Sequence, residues 1–336
     1  MFKCAIIGFG GLGKIHFNNI REVSERTGGV ELTAICDVSE KAFKSQTATN
    51  LGSNDVELDL SSYNLYTDAK EMLEKEKLDL VITALPTYLH EKIAVMALEK
   101  GINVFSEKPM ALTLEECENM IKKADENNVK LMIGQCLRFS AKYLYLKELI
   151  DSKKYGKVIK AEFRRISPFP AWSWENWMTD HEKSGGAAID LHVHDVDFIN
   201  FAFGLPNSVT SVATNHKTKY ESINTFYNYD DMLVTALGDW GMPGNFPFQP
   251  GYTIRFEKAT VKMTATEITV YHEDGKTEIA DIPQISAYTE EMVYFVNMIK
   301  NNTENSVNPP DSSMQTIKIA LAEKESAATG KSIILK

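Results

Sequence analysis

The 336-residue sequence predicts an α/β chain, with a doubly wound parallel sheet followed by an α+β domain. In the first part, short apolar runs alternate with helical stretches, and this alternation is typical of a parallel sheet covered on both faces. After about Gly134, strand-like runs follow one another with short turns, which indicates an antiparallel or mixed sheet. A chain of this length usually holds about two domains, and we predict them at 1–134 and 135–336.

The first predicted domain begins with a strand, and later strands follow helical stretches. The predicted strands are 2–7, 31–37, 78–84, 103–106 and 130–134. The predicted helices include 90–100 and 114–127. In such sheets ligands bind beyond the carboxyl ends of the strands, so polar residues that directly follow a strand are the candidate site residues.

The second predicted domain combines alternating or apolar strand-like runs with three helices. The strands are 158–165, 208–213, 232–239, 252–257, 259–263 and 267–272. The helices are 186–203, 287–300 and 312–329, the last of them stopped by Gly330.

Composition excludes several function classes. The formal charge of −10 argues against a nucleic-acid surface, which needs clustered Lys and Arg. No apolar stretch approaches the ~20 residues that span a bilayer. The four cysteines form no Cys-x-x-Cys pair, and we expect no signal peptide because the N-terminus enters the first strand at once. We therefore expect a cytoplasmic protein that binds neither nucleic acid nor membrane.

The first candidate site is the turn Gly8-Phe9-Gly10-Gly11-Leu12-Gly13, which directly follows the first predicted strand. In such a turn Gly8 makes the tight bend, Gly10 lets the backbone approach a pyrophosphate, and Gly13 lets the helix pack close to the strand. The unpaired amides at the helix N-terminus then face the phosphates. The pattern predicts a dinucleotide site that includes Gly11 and Leu12, and the alternative is a glycine-rich turn in an ordinary βα unit.

Asp37 ends the second predicted strand, where a carboxylate can accept hydrogen bonds from the hydroxyls of an adenosine ribose. Its negative charge would repel a 2′-phosphate and so favours NAD, while Lys41 and Lys44 nearby leave NADP as the alternative. Asp37 could instead cap the helix that starts near residues 39–40.

Two further segments follow predicted strands. Lys108, in Glu107-Lys108-Pro109, can donate to a substrate hydroxyl and stabilise a developing alkoxide, although such a tripeptide is usually a surface turn. Pro86, Thr87 and His90 follow strand 78–84, at the nicotinamide end of the expected site. His90 could form a pocket wall or cap a helix.

The segment from Gly185 to Asp197 carries the second group of candidates. On one helix Asp190 and His194 are four residues apart and share a face, so the carboxylate can orient the imidazole for proton exchange near neutral pH. The alternative is a simple ion pair on the helix. We expect no metal site, because His192 points away from His194 on this helix and no second histidine pair has ligand spacing.

Three of the four tryptophans, Trp172, Trp174 and Trp177, lie close together in the sequence. Trp rings stack on the apolar faces of sugars and cyclitols, and they equally form interfaces or loop cores. We assign Trp172 to substrate binding and leave the other two open.

In their order and spacing, these motifs resemble the Gfo/Idh/MocA oxidoreductase family, which includes glucose–fructose oxidoreductase and inositol dehydrogenase. The match covers nearly the whole chain. Its motifs are the glycine turn, Pro86-Thr87-x-x-His90, Glu107-Lys108-Pro109, Gly134-Gln135-x-x-Arg138-Phe139, Gly185-Gly186 with Asp190, His194 and Asp197, Ala322-Glu323-x-x-Ser326-Ala327, and Thr329-Gly330-Lys331.

The resemblance implies an N-terminal Rossmann domain that binds NAD or NADP, with Pro86, Thr87, His90, Glu107 and Lys108 among its contacts. It implies a C-terminal domain with a large open, mainly antiparallel sheet that forms homodimers or homotetramers. The implied reaction is hydride transfer at a carbinol carbon of a sugar or cyclitol.

The implied catalytic group is Lys108, Asp190 and His194, which also contact substrate together with Arg138 and Trp172. In this group His194 is the acid/base, Lys108 holds and polarises the reacting oxygen, and Asp190 orients His194 or binds a neighbouring hydroxyl.

Two departures from the family pattern are expected to alter the substrate pocket. Thr87 stands where many members have Asn, and His192 stands where a small residue is common. Three alternatives remain open: a keto-sugar reductase, an enzyme that recycles its NAD, such as a glycosidase or a racemising enzyme, and a nucleotide-binding regulator without catalysis.

Overall fold

The computed structural model describes residues 1–44, 58–171 and 173–336. The chain forms two compact units, the first made of Met1–Cys136 with Ser286–Met314 and the second of Leu137–Ile285 with Gln315–Lys336. These units differ from the predicted domains 1–134 and 135–336 in residues 286–314, which return to the first unit. The return depends on contacts far apart in sequence, such as the two hydrogen bonds from Arg26 to Glu290 at 2.6 and 2.9 Å.

The described residues form strands and α-helices with the following bounds. The strands are β1 (Phe2–Ile7), β2 (Val30–Cys36), β3 (Asn64–Tyr66), β4 (Leu80–Thr83), β5 (Asn103–Glu107), β6 (Leu131–Gly134), β7 (Val158–Pro168), β8 (Ser208–Thr214), β9 (Ser222–Asn228), β10 (Leu233–Met242), β11 (Gln249–Phe256), β12 (Ala259–Met263), β13 (Ile268–His272), β14 (Thr277–Ile279) and β15 (Ile333–Ile334). The helices are α1 (Gly11–Thr27), α2 (Ala69–Lys75), α3 (His90–Leu98), α4 (Leu114–Glu126), α5 (Ala141–Ser152), α6 (His181–Ser184), α7 (Ala187–Asp190), α8 (Val193–Phe203), α9 (Ala287–Asn301) and α10 (Pro310–Thr329).

The first unit contains a six-stranded parallel sheet in the order β3-β2-β1-β4-β5-β6. The predicted doubly wound parallel sheet is confirmed. Strand β3 was not predicted, because its three residues are exposed or half-buried and give no apolar run. The strand order reverses between β1 and β4, where Ile7 pairs with Thr83. Ligands of such sheets bind at this reversal, beyond the carboxyl ends of the strands.

The second unit contains a nine-stranded sheet in the order β14-β13-β12-β11-β7-β10-β9-β8-β15. Its neighbouring strands pair antiparallel except β7 and β10, which run parallel. The predicted mainly antiparallel sheet is thus confirmed. Along β9, Ile223 and Tyr227 are buried while Phe226 is exposed, as expected for a sheet with one covered and one open face.

The single helix predicted at 186–203 is wrong, because the structure divides it into α7 and α8. At the division the N–H of His192 donates to the carbonyl of Ala187, five residues back, at 2.7 Å, whereas an α-helix bonds four residues back. The N–H of Asp195 then donates to the carbonyl of His192 at 3.0 Å. This change of spacing lies between Asp190 and His194, so the helical periodicity that placed them on one face does not hold across it.

None of the helices that the structure describes is long and apolar enough to cross a membrane.

Candidate active site

The glycine turn has the geometry that the sequence predicts for a dinucleotide site. Gly8 has φ +92°, and a Cβ there would lie 2.3 Å from the carbonyl oxygen of Ala84 at the end of β4. A Cβ at Gly13 would lie 2.0 Å from the carbonyl oxygen of Gly8. By contrast, a Cβ at Gly10 would meet nothing within 4 Å. Gly8 and Gly13 therefore allow close packing, and Gly10 keeps an open approach to the backbone.

The N-terminus of α1 is suited to an anion. Gly10 is its N-cap, no side chain caps the first turn of this fully described helix, and no acidic residue lies in that turn. Unpaired amides and the positive end of the helix dipole attract phosphates. The residues present therefore fit a dinucleotide, whose pyrophosphate the turn would hold.

Asp37 directly follows β2 and is tied to the glycine turn. Its Oδ2 accepts the N–H of Phe9 at 2.8 Å, and its Oδ1 accepts the N–H of Ser39 at 2.9 Å. The second bond is to the residue before the helical turn at 40–43, whose first turn has no side-chain cap. Each carboxylate oxygen can accept a further hydrogen bond, so the predicted contact with a ribose stays open to Asp37.

Lys14 is a residue near this turn that the sequence analysis missed. It lies in the first turns of α1, with its Nζ 5.5 Å from the ring centre of Phe9. Burial lowers the pKa of Lys14, and the negative charge of Asp37 partly opposes this effect. Its signal in the sequence is a lysine directly after Gly13.

The loop after β4 contains Pro86 and Thr87 and leads into His90, the first residue of α3. The His90 ring is fully buried, with Nδ1 2.7 Å from the carbonyl oxygen of Pro109 and Nε2 2.8 Å from that of Leu85. Burial lowers the pKa of His90. The predicted contact of His90 with the cofactor is at odds with this environment, because both ring nitrogens face main-chain oxygens inside the unit.

Glu107, the last residue of β5, is also buried. Its Oε1 lies 2.7 Å from Nε2 of His16, and its Oε2 accepts the N–H of Lys108 at 3.2 Å. The predicted contact of Glu107 with the cofactor is therefore at odds with the structure, which gives the carboxylate a role in holding the Lys108 backbone. Lys108 itself is half-buried beyond the carboxyl end of β5, as predicted, and its peptide bond to Pro109 is cis.

His16 and Glu291 are further residues that the sequence analysis missed. Glu291, on α9, is fully buried, and burial followed by the nearby charge of Glu107 raises its pKa well above the usual range. His16 carried a weak signal, as a polar residue between Ile15 and Phe17 in the dinucleotide helix. Glu291 carried none, because its neighbours do not show that α9 joins the first unit.

The second unit carries Asp190 and His194. Asp190 is the last residue of α7 and is nearly buried, whereas His194 is half-buried in the first turn of α8. Gly185 and Gly186 have φ +78° and +76°, and a Cβ on Gly186 would lie 2.6 Å from the carbonyl oxygen of Lys219. The glycines therefore let the start of this segment pack closely against the backbone at Lys219.

Two arginines hold α8 through buried carboxylates. Arg138 Nε and Nη2 donate to Asp197 at 2.8 and 2.7 Å, and Arg165 Nε and Nη2 donate to Asp195 at 3.0 Å each. Such bidentate pairs fix geometry as well as charge. The predicted contact of Arg138 with substrate is at odds with this arrangement, because its side chain is only 1% exposed.

His192 lies in the interior of the second unit, and the expectation that it alters the substrate pocket stays a prediction. Its ring is buried beside Tyr227 of β9 and Glu323 of α10. Trp172, the predicted stacking residue, lies outside the described residues. Within the described part of the chain, no three His, Cys, Asp or Glu side chains are grouped so as to hold a metal ion.

Two family models match the chain in order. The model described as "Oxidoreductase family, NAD-binding Rossmann fold" matches residues 2–135, and the GFO/IDH/MocA C-terminal domain matches residues 143–279. The chain belongs to the Gfo/Idh/MocA oxidoreductase family. The resemblance drawn from the motifs is confirmed.

Relatives of this Gfo/Idh/MocA protein are named for different activities. Over 191 residues it is 32% identical to a 2,7-anhydro-N-acetylneuraminate hydratase of Mediterraneibacter gnavus, covering 54% of the chain and 50% of that relative. Over 352 aligned positions it is 26% identical to the scyllo-inositol 2-dehydrogenase (NAD(+)) of Bacillus subtilis, covering 99% of the chain and 96% of that relative. In the hydratase alignments, the chain spans about half of the relatives' length.

Solved structures show the same fold. The crystal structure of myo-inositol 2-dehydrogenase from Lactobacillus plantarum matches with a TM-score of 0.81 at 24% identity, covering 100% of this chain and 99% of that one. At this identity the likeness establishes the architecture of the Gfo/Idh/MocA chain and leaves its substrate open.

Proposed function

We propose that the chain is an NAD-dependent oxidoreductase that acts on a CH–OH carbon, or the corresponding ketone, of a sugar, a cyclitol or a sugar derivative. The observation that carries the proposal is the glycine turn with Asp37 held against it, in a chain that belongs to an oxidoreductase family. When bound, NAD supplies or accepts the hydride.

The first unit would bind and orient the cofactor. The amides at the start of α1 bind the pyrophosphate, and Asp37 accepts the ribose hydroxyls. Because Asp37 already accepts main-chain N–H groups through both oxygens, its carboxylate is fixed in place. A fixed negative charge repels a 2′-phosphate, and this supports NAD over NADP. Pro86 and Thr87 follow β4 at the strand-order reversal and are proposed to lie at the nicotinamide end.

Four side chains are proposed to handle the substrate. His194 accepts the proton of the reacting hydroxyl during oxidation and returns it during reduction. Lys108 donates to the reacting oxygen and stabilises negative charge on it. Asp190 orients His194 or binds a neighbouring hydroxyl. Trp172 is proposed to stack on the substrate ring.

A panel of substrates tests this proposal. Purified protein is mixed with inositols, aldoses and their keto forms together with NAD(H) or NADP(H), and reduced nicotinamide is followed by its absorbance. We expect turnover of at least one polyol with NAD. Tight NAD binding with no turnover on the whole panel would favour the nucleotide-binding regulator instead.

An NAD-recycling enzyme is the second candidate. The Mediterraneibacter gnavus relative, 32% identical over the half of it that aligns, is named a hydratase, and hydration involves no net oxidation or reduction of the substrate. Such an enzyme would convert an anhydro sugar acid without net release of NADH. Incubation with 2,7-anhydro-N-acetylneuraminate and catalytic NAD, followed by mass spectrometry of the product, separates the two candidates.

The open face of the nine-stranded sheet supports a homodimer or homotetramer. Val212, Phe226 and Leu233 are exposed large apolar side chains on neighbouring strands β8, β9 and β10. Light scattering after size exclusion tests this, and a monomer at micromolar concentration would contradict it. The four cysteines are free and buried, which supports a reducing, cytoplasmic location.

A further inference from the structure

His192 forms the joint between the two helices that carry the proposed acid/base residues. Its N–H ends α7 by donating to the carbonyl of Ala187 at 2.7 Å. Its own carbonyl begins α8 by accepting the N–H groups of Asp195 and Val196 at 3.0 and 3.1 Å. Asp190 therefore lies two residues before this joint, and His194 lies two residues after it. A change in the backbone of His192 changes the orientation of one helix relative to the other.

The side chain of His192 is anchored away from these helices. Its Nε2 lies 3.2 Å from the hydroxyl of Tyr227 and 3.4 Å from Oε2 of Glu323. All three side chains are fully buried. Tyr227 belongs to β9 and Glu323 to α10, so the joint is tied to the sheet and to the C-terminal helix at once.

Gly238 of β10 makes room for this ring. A Cβ at Gly238 would lie 2.7 Å from Cβ of His192 and 2.9 Å from both Cγ and Nδ1. Real Cβ atoms essentially never show contacts this short, so the backbone of β10 packs directly on the imidazole. The ring therefore contacts the strand as well as Tyr227 and Glu323.

The contacts of the His192 ring with Tyr227 and Glu323 involve buried polar groups. Burial, and then the negative charge of Glu323, raise the pKa of Tyr227 well above its usual range, so the phenol stays a hydrogen-bond donor. A buried carboxyl group needs a donor or a positive partner, and removing that partner is strongly unfavourable. Imidazole Nε2 lies 3.4 Å from Oε2 of Glu323 and forms an ion pair with it when both ring nitrogens carry a proton.

We propose that His192, anchored by Tyr227 and Glu323, is a positioning residue that sets the orientation of Asp190 and His194 across the joint between α7 and α8. This proposal rests on the proposed function for its catalytic consequence. The pairs Arg165–Asp195 and Arg138–Asp197 hold α8 after the joint, whereas His192 holds the joint itself.

The test uses three variants: His192→Ala, Glu323→Gln and the double variant that combines these two changes. Each is compared with a control variant, Thr225→Val. Thr225, also buried on β9, shares a 2.7 Å hydrogen bond with Ser211 of β8. It is the matched control for loss of a buried polar contact in the same sheet. We measure the midpoint of thermal unfolding, kcat and KM on a substrate found in the panel, the Kd for NAD, and the titration of the His194 ring by NMR, assigned with His194→Ala.

His192→Ala should lower kcat about tenfold or more, a loss of ~1.4 kcal/mol of transition-state stabilisation or greater, and change the Kd for NAD less than about twofold. The midpoint of the His194 titration should move by about half a unit or more. In the double variant, thermal stability should recover because Glu323→Gln removes the buried carboxylate, while kcat and the His194 titration stay altered. Thr225→Val should lose thermal stability, with kcat and the His194 titration unchanged.

Full recovery of kcat in the double variant would reduce His192 to a stabilising role and overturn the proposal. So would an unchanged His194 titration in His192→Ala. If His192→Ala does not fold, Tyr227→Phe combined with Glu323→Gln removes the anchors and should move the same readouts in the same direction. If the wild type turns over no polyol, the proposed function fails, while the NMR titration still decides the positioning role.

Discussion

Arg138 and Asp197 form a bidentate ion pair in the interior of the second unit, with Nε–Oδ2 and Nη2–Oδ1 distances of 2.8 and 2.7 Å. Thr316 of α10 donates to the same carboxylate at 2.9 Å. The pair joins the residues that follow β6 to the helix that carries His194. Arg138, which the family resemblance assigns to substrate binding, therefore has a structural role in this ion pair.

Arg138→Met should destabilise the protein by about 3–5 kcal/mol, because it leaves the Asp197 carboxylate buried without its partner. Arg138→Met with Asp197→Leu should recover most of this loss. Urea unfolding measures the free energy. If Arg138 instead served mainly to bind substrate, the single variant would keep its stability and raise KM.

Lys108→Ala and His194→Ala should each lower kcat by roughly 10²–10⁴, the usual contribution of a positioned proton-transfer or charge-stabilising group. Steady-state kinetics on a substrate from the panel measures this, and calorimetry should find the Kd for NAD little changed. Wild-type rates in both variants would remove these residues from the proposed mechanism.

Gly10→Ala and Gly13→Ala should separate binding from folding. At Gly10 the added methyl meets open space. At Gly13 it would lie 2.0 Å from the carbonyl oxygen of Gly8. Gly13→Ala should therefore destabilise the first unit, by about 1–3 kcal/mol. Gly10→Ala should fold normally and weaken NAD binding, by roughly tenfold or ~1.4 kcal/mol.

Gly244→Ala is the control for this pair, because a Cβ at Gly244 also meets nothing within 4 Å and the residue lies in the second unit. Thermal unfolding and NAD calorimetry give the two readouts. Unchanged NAD affinity in Gly10→Ala would place the pyrophosphate elsewhere.

Asp37→Ser should relax the preference for NAD, because it removes the charge that repels a 2′-phosphate. We expect the ratio of kcat/KM for NAD over NADP to fall by roughly tenfold or more, equivalent to ~1.4 kcal/mol. Comparison of both cofactors at one substrate concentration measures it. A wild-type enzyme that prefers NADP would contradict the role given to Asp37.

Glu291 should make stability depend on pH. Its pKa is raised in the folded state, so the unfolded chain ionises first as pH increases. Below the unfolded pKa of about 4.3, the neutral carboxyl makes its full contribution to the free energy of unfolding. Above it, this contribution falls by about 1.4 kcal/mol per pH unit until the pH reaches the pKa of the folded state.

Glu291→Gln, which cannot ionise, should therefore gain stability relative to wild type between pH 5 and 8. Urea unfolding across this range measures the difference. Glu304→Gln, at an almost fully exposed position of the same unit, is the control. Parallel stability curves for wild type and Glu291→Gln would show that Glu291 ionises in the folded protein.

The sequence by itself determined the parts of this protein that depend on neighbouring residues. The glycine turn between β1 and α1 is local in sequence. Gly8 and Gly13 must be glycine because a side chain at either position would overlap the backbone. Alternating and apolar runs likewise predicted most strands of both sheets. Lys108 was correctly placed at the end of a strand because strand ends follow from the same pattern.

Only the tertiary structure decided which distant residues meet. His16 and Glu107 are 91 positions apart, and Arg138 and Asp197 are 59 apart, so no periodicity relates them. The segment around Asp190 and His194 is divided at His192, whose ring lies beside Tyr227 and Glu323 from distant parts of the chain. Burial and ion pairing between distant segments set these positions, and local sequence preferences do not contain that information.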